Sequence, residues 1–137
     1  MTVSPARRIS TSVQLSIAAG GAAGAYARIL VDRGLGSPGS GWPWATFTVN
    51  VIGTFLLGYF ITRLLERLPP STYRRPFLAT GLCGALTTFS TLQLELLNML
   101  RAGNVPLAVG YAAGSLAAGF AALMLAVWLV RRARVTP

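Results

Sequence analysis

Residues 81–95, GLCGALTTFSTLQLE, decide how this chain folds. They lie in an apolar run between Pro76 and Arg101. At about 1.5 Å per residue, such a run is long enough to cross a bilayer core of roughly 30 Å. Its middle does not suit an ordinary spanning helix. Gly81 and Gly84 weaken it, and Thr87, Thr88, Ser90 and Thr91 crowd hydroxyls around Phe89, with Glu95 one turn further on. Polar density at membrane depth is expensive and marks a substrate or ion path. Irregular backbone survives there only where protein buries it or where it lines a cavity. The expectation is a crossing broken at its centre, with something polar or ionic beside the break.

Composition supports a membrane setting for the whole chain. Of 137 residues, 53% are hydrophobic and 11% charged, against about 25% charged in a soluble domain. We therefore expect one integral membrane domain over 1–137, with no separate soluble domain. The basic residues are all Arg, and Asp32, Glu66 and Glu95 are the acids, giving a formal charge of +9. The Arg residues cluster beside apolar runs, which fits the bias of membrane proteins toward basic cytoplasmic loops better than nucleic-acid binding. There is no His, and Cys83 is the sole cysteine. That excludes an intrachain disulfide and leaves almost nothing for zinc, redox or triad chemistry. The chain reads as not an enzyme, and Cys83 as a small buried apolar residue.

Four apolar runs are expected to be spans, at about 13–31, 44–62, 76–100 and 105–130. Arg7 and Arg8 precede the first run in the manner of a signal peptide. The run continues past Ala18 and Ala19 to Leu30, so it reads as a retained span. A Gly/Ser/Pro-rich turn follows it, and Pro69-Pro70 stops the second. Trp42 and Trp44 start the second run, where amphipathic rings favour the membrane boundary. An even number of spans puts both termini on one side. Arg7, Arg8, Arg63, Arg67, Arg74, Arg75, Arg131, Arg132 and Arg134 fall on that side, and Arg33 and Arg101 opposite. This bias predicts cytoplasmic termini in a multi-pass protein of the bacterial cell membrane.

Within the spans, polar and small residues recur at i+4 steps. Gly20, Gly24 and Arg28 share one face of the first. Gly20 and Gly24 make a G-x-x-x-G step, which allows close helix approach. Arg28 either snorkels to the interface or stands as a fixed cation that draws anions to a vestibule or pairs with an acid. The second span carries Thr46, Asn50, Thr54 and Gly58. A membrane threonine commonly bonds its own helix, whereas a buried Asn offers two amide donors. The last span carries Tyr111, Ser115 and Gly119. Such an interior is rich in donors and poor in anionic acceptors, which suits a small anion. The spacing reaches that far and no further.

Three stretches carry a family likeness: GGAAGAYAR at residues 20–28, TFTVNVIGTFLLG at 46–58 and the opening stretch at 81–95. With them the chain resembles the bacterial fluoride channel family, Fluc/CrcB, over nearly its full length. The resemblance implies an all-α membrane protein of four transmembrane helices, the third broken at its centre, paired as an antiparallel dual-topology-type dimer. It implies two pores at the dimer interface, carrying fluoride ion. It also implies a structural sodium ion, not transported, held by backbone carbonyls that match Gly84 and Thr87. Asn50 matches the pore asparagine and Phe89 the first of two pore phenylalanines. Thr46, Thr88, Tyr111, Ser115 and Glu95 match polar positions on or beside the pathway, and Arg28 the first-span arginine. Leu92 stands where a second phenylalanine is common, and Gly119 where a serine is. A homodimer must insert in both orientations. The Arg bias here favours a single orientation, and with it a heterodimer with an oppositely oriented homologous subunit. A proton-coupled exporter of cationic drugs would need a carboxylate within the first span, and 13–31 contains none.

Overall fold

The computed structural model describes residues 10–36, 41–66 and 68–133. Arg7, Arg8, Arg67 and Arg134, which contribute to the Arg bias, lie outside them. The described residues form helices and no strands: α1 (Thr11–Leu35), α2 (Trp44–Glu66), a π-helical segment (Pro76–Cys83), α3 (Gly84–Leu86), α4 (Phe89–Arg101) and α5 (Val105–Arg132). Their bounds extend the expected runs by up to four residues, because charged residues at the ends continue the helices. Three spans are long and apolar enough to cross a membrane: Trp44–Glu66, Pro76–Arg101 and Val105–Arg132. The expected first crossing, α1, is also a single helix of 25 residues. It is long enough, but Gln14, Arg28, Asp32 and Arg33 make it more polar than the other three.

The third crossing is interrupted where its hydroxyls crowd. α3 ends at Leu86, and Thr87 (φ −79°, ψ 154°) and Thr88 (φ −146°, ψ 117°) are extended. α4 resumes at Phe89, with the Thr88 Oγ1 accepting the Thr91 N–H at 3.2 Å as its N-cap. Capping of this kind satisfies a backbone donor that the new helix start leaves over.

The sequence did not reveal the widened coil before the break. Pro76 opens it, and Cys83 closes it fully buried. The wide turns bring carbonyls outward against α1, which has no side chain there to obstruct them. A Cβ on Gly20 would collide with the Phe77 carbonyl oxygen, and one on Gly24 with that of Leu82. From the other side, a Cβ on Gly81 would sit 2.5 Å from the Ile17 carbonyl oxygen. The G-x-x-x-G step is thus a backbone-to-backbone seam between the first and third crossings.

A second seam joins α2 to α5. A Cβ on Gly58 would meet Leu123 Cδ1 at 2.7 Å. At the far end of the same pair, Arg131 Nη2 bonds Glu66 Oε1 at 2.8 Å. Short connections keep neighbours antiparallel in order. Gly103, at φ 75°, turns the chain after α4, and the Asn104 side chain caps α5 by accepting the Leu107 N–H at 3.3 Å. The starts of α1 and the third crossing therefore lie at one end of the bundle with the ends of α2 and α5. We call this the Arg131 end, and the other the Arg101 end.

Candidate functional site

The centre of the site is one asparagine and one threonine. Asn50 Nδ2 donates to the Thr88 carbonyl at 3.0 Å, and Asn50 Oδ1 accepts the Thr88 N–H at 2.8 Å. A side-chain amide is the right group for this, since it offers a donor and an acceptor side by side. It stands in for the strand or helix partner that Thr88 lacks. In an unbroken helix the Thr88 N–H would go to the Gly84 carbonyl. Here Asn50 takes it, and Gly84 is exposed. The neighbouring Thr87 returns its hydroxyl to the Cys83 carbonyl at 3.0 Å. Its methyl fills the space that a Cβ on Gly53 would need. Gly53 therefore lets α2 press against the break, a role that its lone position in the second run did not signal.

One turn toward the Arg101 end, α2 presents Thr46 to α4. The Thr46 hydroxyl donates to Glu95 Oε1 at 2.6 Å. From α5 the Tyr111 hydroxyl donates to Glu95 Oε2 at 2.7 Å. Three crossings thus meet on one carboxyl group, and each of its oxygens accepts a hydroxyl. Thr46 departs from the local expectation for a membrane threonine, which would bond its own helix. Thr54 meets it, donating to the Asn50 carbonyl at 2.7 Å. The difference lies in what each faces: Thr46 has an acid across the groove, and Thr54 has none.

Tyr111 is fully buried, and its ring is held by aromatic edges. Trp42 meets it at 5.2 Å between centroids, nearly perpendicular. Of the two tryptophans expected at the boundary, Trp44 is half exposed, while Trp42 turns inward between Phe47 and Tyr111. The small size of Gly114 admits the Trp42 ring, since a Cβ there would lie 3.0 Å from Cη2. Leu92 packs on this same Tyr111 wall. Among the described residues, the Ser115 hydroxyl and the Trp42 ring N–H are buried polar atoms with no hydrogen-bond partner.

A cavity of about 220 Å³ opens between α1, α2 and α4, lined by Arg28, Asp32, Thr46, Val49, Thr88 and Thr91 among others. It joins the Thr88 break to the Arg101 end. Arg28 lines this cavity with Asp32 one turn further along α1. Phe89 has a different setting. It follows the break directly and is 72% exposed on the surface of the chain, beside the exposed Ser90.

The expected site residues therefore fall into three groups. Asn50 and Thr88 make the clamp. Thr46, Glu95 and Tyr111 form one bonded cluster beside it, with Ser115 a turn along α5. Arg28 stands across the cavity, while Phe89 and Gly84 are exposed on the surface of the chain. Most of the expected donors are occupied within the chain: Asn50 holds backbone, and Thr46 and Tyr111 hold Glu95.

Comparison with known proteins is consistent along the chain. The chain is 58% identical over 121 residues to fluoride-specific ion channel FluC 1 of Mycolicibacterium paratuberculosis, covering 88% of this chain and 91% of the relative. It is 54% identical over 120 residues to fluoride-specific ion channel FluC 1 of Mycobacterium tuberculosis, again covering 88% and 91%. A more distant relative, fluoride-specific ion channel FluC of Chlorobaculum tepidum, is 42% identical over 117 residues, covering 85% and 93%. Residues 15–127, from the first crossing to the last and including the clamped break, match the model of the CrcB-like protein, Camphor Resistance (CrcB) family. This chain is a membrane protein and belongs to the CrcB family.

Proposed function

We propose that this chain is the subunit of a fluoride-selective channel that exports fluoride passively from the cytoplasm and so lowers its toxicity. The observation that carries this reading is the clamped interruption. Asn50 holds the third crossing open at Thr88, beside a cluster of hydroxyls reached from a cavity at one membrane end. Fluoride only accepts hydrogen bonds, and it loses a costly hydration shell on entry. Compact hydroxyl and amide donors replace that shell. Thr46 and Tyr111 already donate to a carboxyl oxygen, so an entering anion competes with Glu95 for the same protons. Ser115 has a buried hydroxyl to offer without such competition. Arg28, in the cavity wall, offers an entering anion a guanidinium, whose field Asp32 in the same wall partly offsets. An anion inside a negative-inside cell gains about 2.3 kcal/mol per 100 mV on leaving, so no coupled energy source is required.

Phe89 and Gly84 fit this reading only if a second subunit covers them. An exposed ring next to a helix break gives one chain half of an interface. In a dimer of oppositely inserted subunits, the positive edge of the Phe89 ring lines the ion path. A structural sodium ion fits the Gly84 and Thr87 carbonyls. The first has lost its helical donor to Asn50, and the second belongs to extended backbone. Hard oxygens of this kind suit a small cation. Two carbonyls alone would not complete a cation's shell, and a second subunit would have to supply the remaining oxygens. Held by these carbonyls, such an ion would supply a fixed positive charge between the subunits and would not be transported.

The partner is a homologous subunit, either the same chain or one of opposite Arg bias. The strong bias of this chain favours the second, with termini in the cytoplasm of a bacterial inner membrane. Fluoride efflux from liposomes tests the reading, with the chain alone and with a homologue, in sodium and sodium-free buffer. Efflux that slows at least tenfold with Phe89→Ala, and falls in sodium-free buffer, is the expected result. Equal efflux of chloride and fluoride, or none with any homologue, would overturn it.

A further inference from the structure

The Arg131 end of the bundle carries an unbalanced charge. Among the described residues, Arg63, Arg74, Arg75, Arg131 and Arg132 lie there, all exposed, against the single carboxylate of Glu66. Five against one leaves four positive charges at a membrane boundary. Two of these guanidinium groups belong to a shaped site. Met124, Val127, Trp128, Arg131 and Arg132 line a shallow, open groove on one face of the last turns of α5. Its floor is apolar, with Met124 44% and Trp128 49% exposed. Its basic rim is oriented. Arg132 lies over the Trp128 ring with its guanidinium carbon 4.8 Å from the centroid. Arg131 is tied to Glu66 Oε1 through Nε at 3.1 Å and Nη2 at 2.8 Å, yet its side chain stays 62% exposed.

We propose that this groove is a binding site for an anionic phospholipid. Its phosphate sits between Arg131 and Arg132, and one acyl chain lies along Val127 and Met124. The order of the groove matches that of a lipid: cations at the helix end, an indole at headgroup level, then hydrocarbon-facing side chains deeper in. Stacking on Trp128 removes much of the freedom of Arg132 before a ligand arrives, so less is lost on binding. Glu66 does the same for Arg131. It neutralises part of that charge, which leaves Arg132 as the main anchor. The site is remote from the Asn50 clamp and does not depend on which ion the protein conducts.

Native mass spectrometry of the full chain, released from detergent with equal phosphatidylglycerol and phosphatidylcholine, tests this. The expected result is preferential retention of phosphatidylglycerol. Arg132→Gln should reduce that preference about fivefold. Arg101→Gln, at the other end of the bundle, should leave it unchanged. Trp128→Leu keeps the floor apolar and should weaken retention by releasing Arg132. Equal retention of both lipids, or equal loss in Arg132→Gln and Arg101→Gln, would overturn the site. Displacement of the lipid by millimolar inorganic phosphate would reduce it to a bare anion site and overturn the lipid assignment too.

Discussion

Asn50 commits both ends of its amide to one residue of another crossing. Interhelical hydrogen bonds in membranes average only about 0.6 kcal/mol each, because an unfolded segment finds other partners. A backbone group left unsatisfied in a buried site costs more, about 1–3 kcal/mol. Thr88 is buried, so the second figure governs. Asn50→Leu should therefore lower stability by about 2 kcal/mol or more. Asn50→Asp keeps an acceptor for the Thr88 N–H and should cost about half as much. Denaturant unfolding in mixed micelles would measure both, and equal losses would mean that the amide is not a two-sided clamp. Phe89 makes the opposite case. Its ring is largely exposed, so Phe89→Ala should leave the stability of the chain within about 0.5 kcal/mol of the parent. Stability by micelle unfolding, set beside efflux, separates a residue that serves a path from one that serves the fold.

At the scale of elements, the first and third crossings touch through backbone. The π-helical turns push carbonyls toward α1, and glycine is the residue that accepts them. Gly24→Ala should force the seam apart, at about 1–3 kcal/mol, typical of overpacking where backbone cannot yield. Gly21→Ala is the matched control. A Cβ there meets nothing within 4 Å, so gained helix propensity should make it neutral or stabilising by up to about 1 kcal/mol. Thermal unfolding of the two variants in one detergent would show the contrast, and equal effects would remove the seam. The G-x-x-x-G step was legible in residues 20–24. Its partner was not, because nothing in the spacing of residues 76–83 announces a widened coil.

For the whole molecule, the question is orientation. Nine Arg against two separate the two ends of the expected topology, and a bias of that size should fix one insertion direction. Reporter fusions to each terminus, expressed in bacterial cells, should find both termini in the cytoplasm in nearly every copy. Replacing Arg131 and Arg132 with Gln weakens the bias and should produce a mixed population. Equal numbers of copies in both directions for the parent chain would favour a homodimer and sink the heterodimer. Such an outcome would leave the fluoride reading intact, since under that proposal a dimer of either kind would cover Phe89.

The sequence by itself determined the helical membrane class and the site of the break. Those follow from run length, from hydroxyl crowding at residues 87–91 and from the Gly and Pro stops, all local signals carried by neighbouring residues. Tertiary structure alone decided what the polar residues do. Thr46 and Thr54 look equivalent along one stripe, yet one bonds Glu95 and the other its own helix. Trp42 and Trp44 look like a pair of boundary anchors, yet one is folded onto Tyr111. A side chain in a membrane must find its hydrogen bond within the protein. Which partner it finds depends on the crossing packed against it, and no one-dimensional spacing contains that.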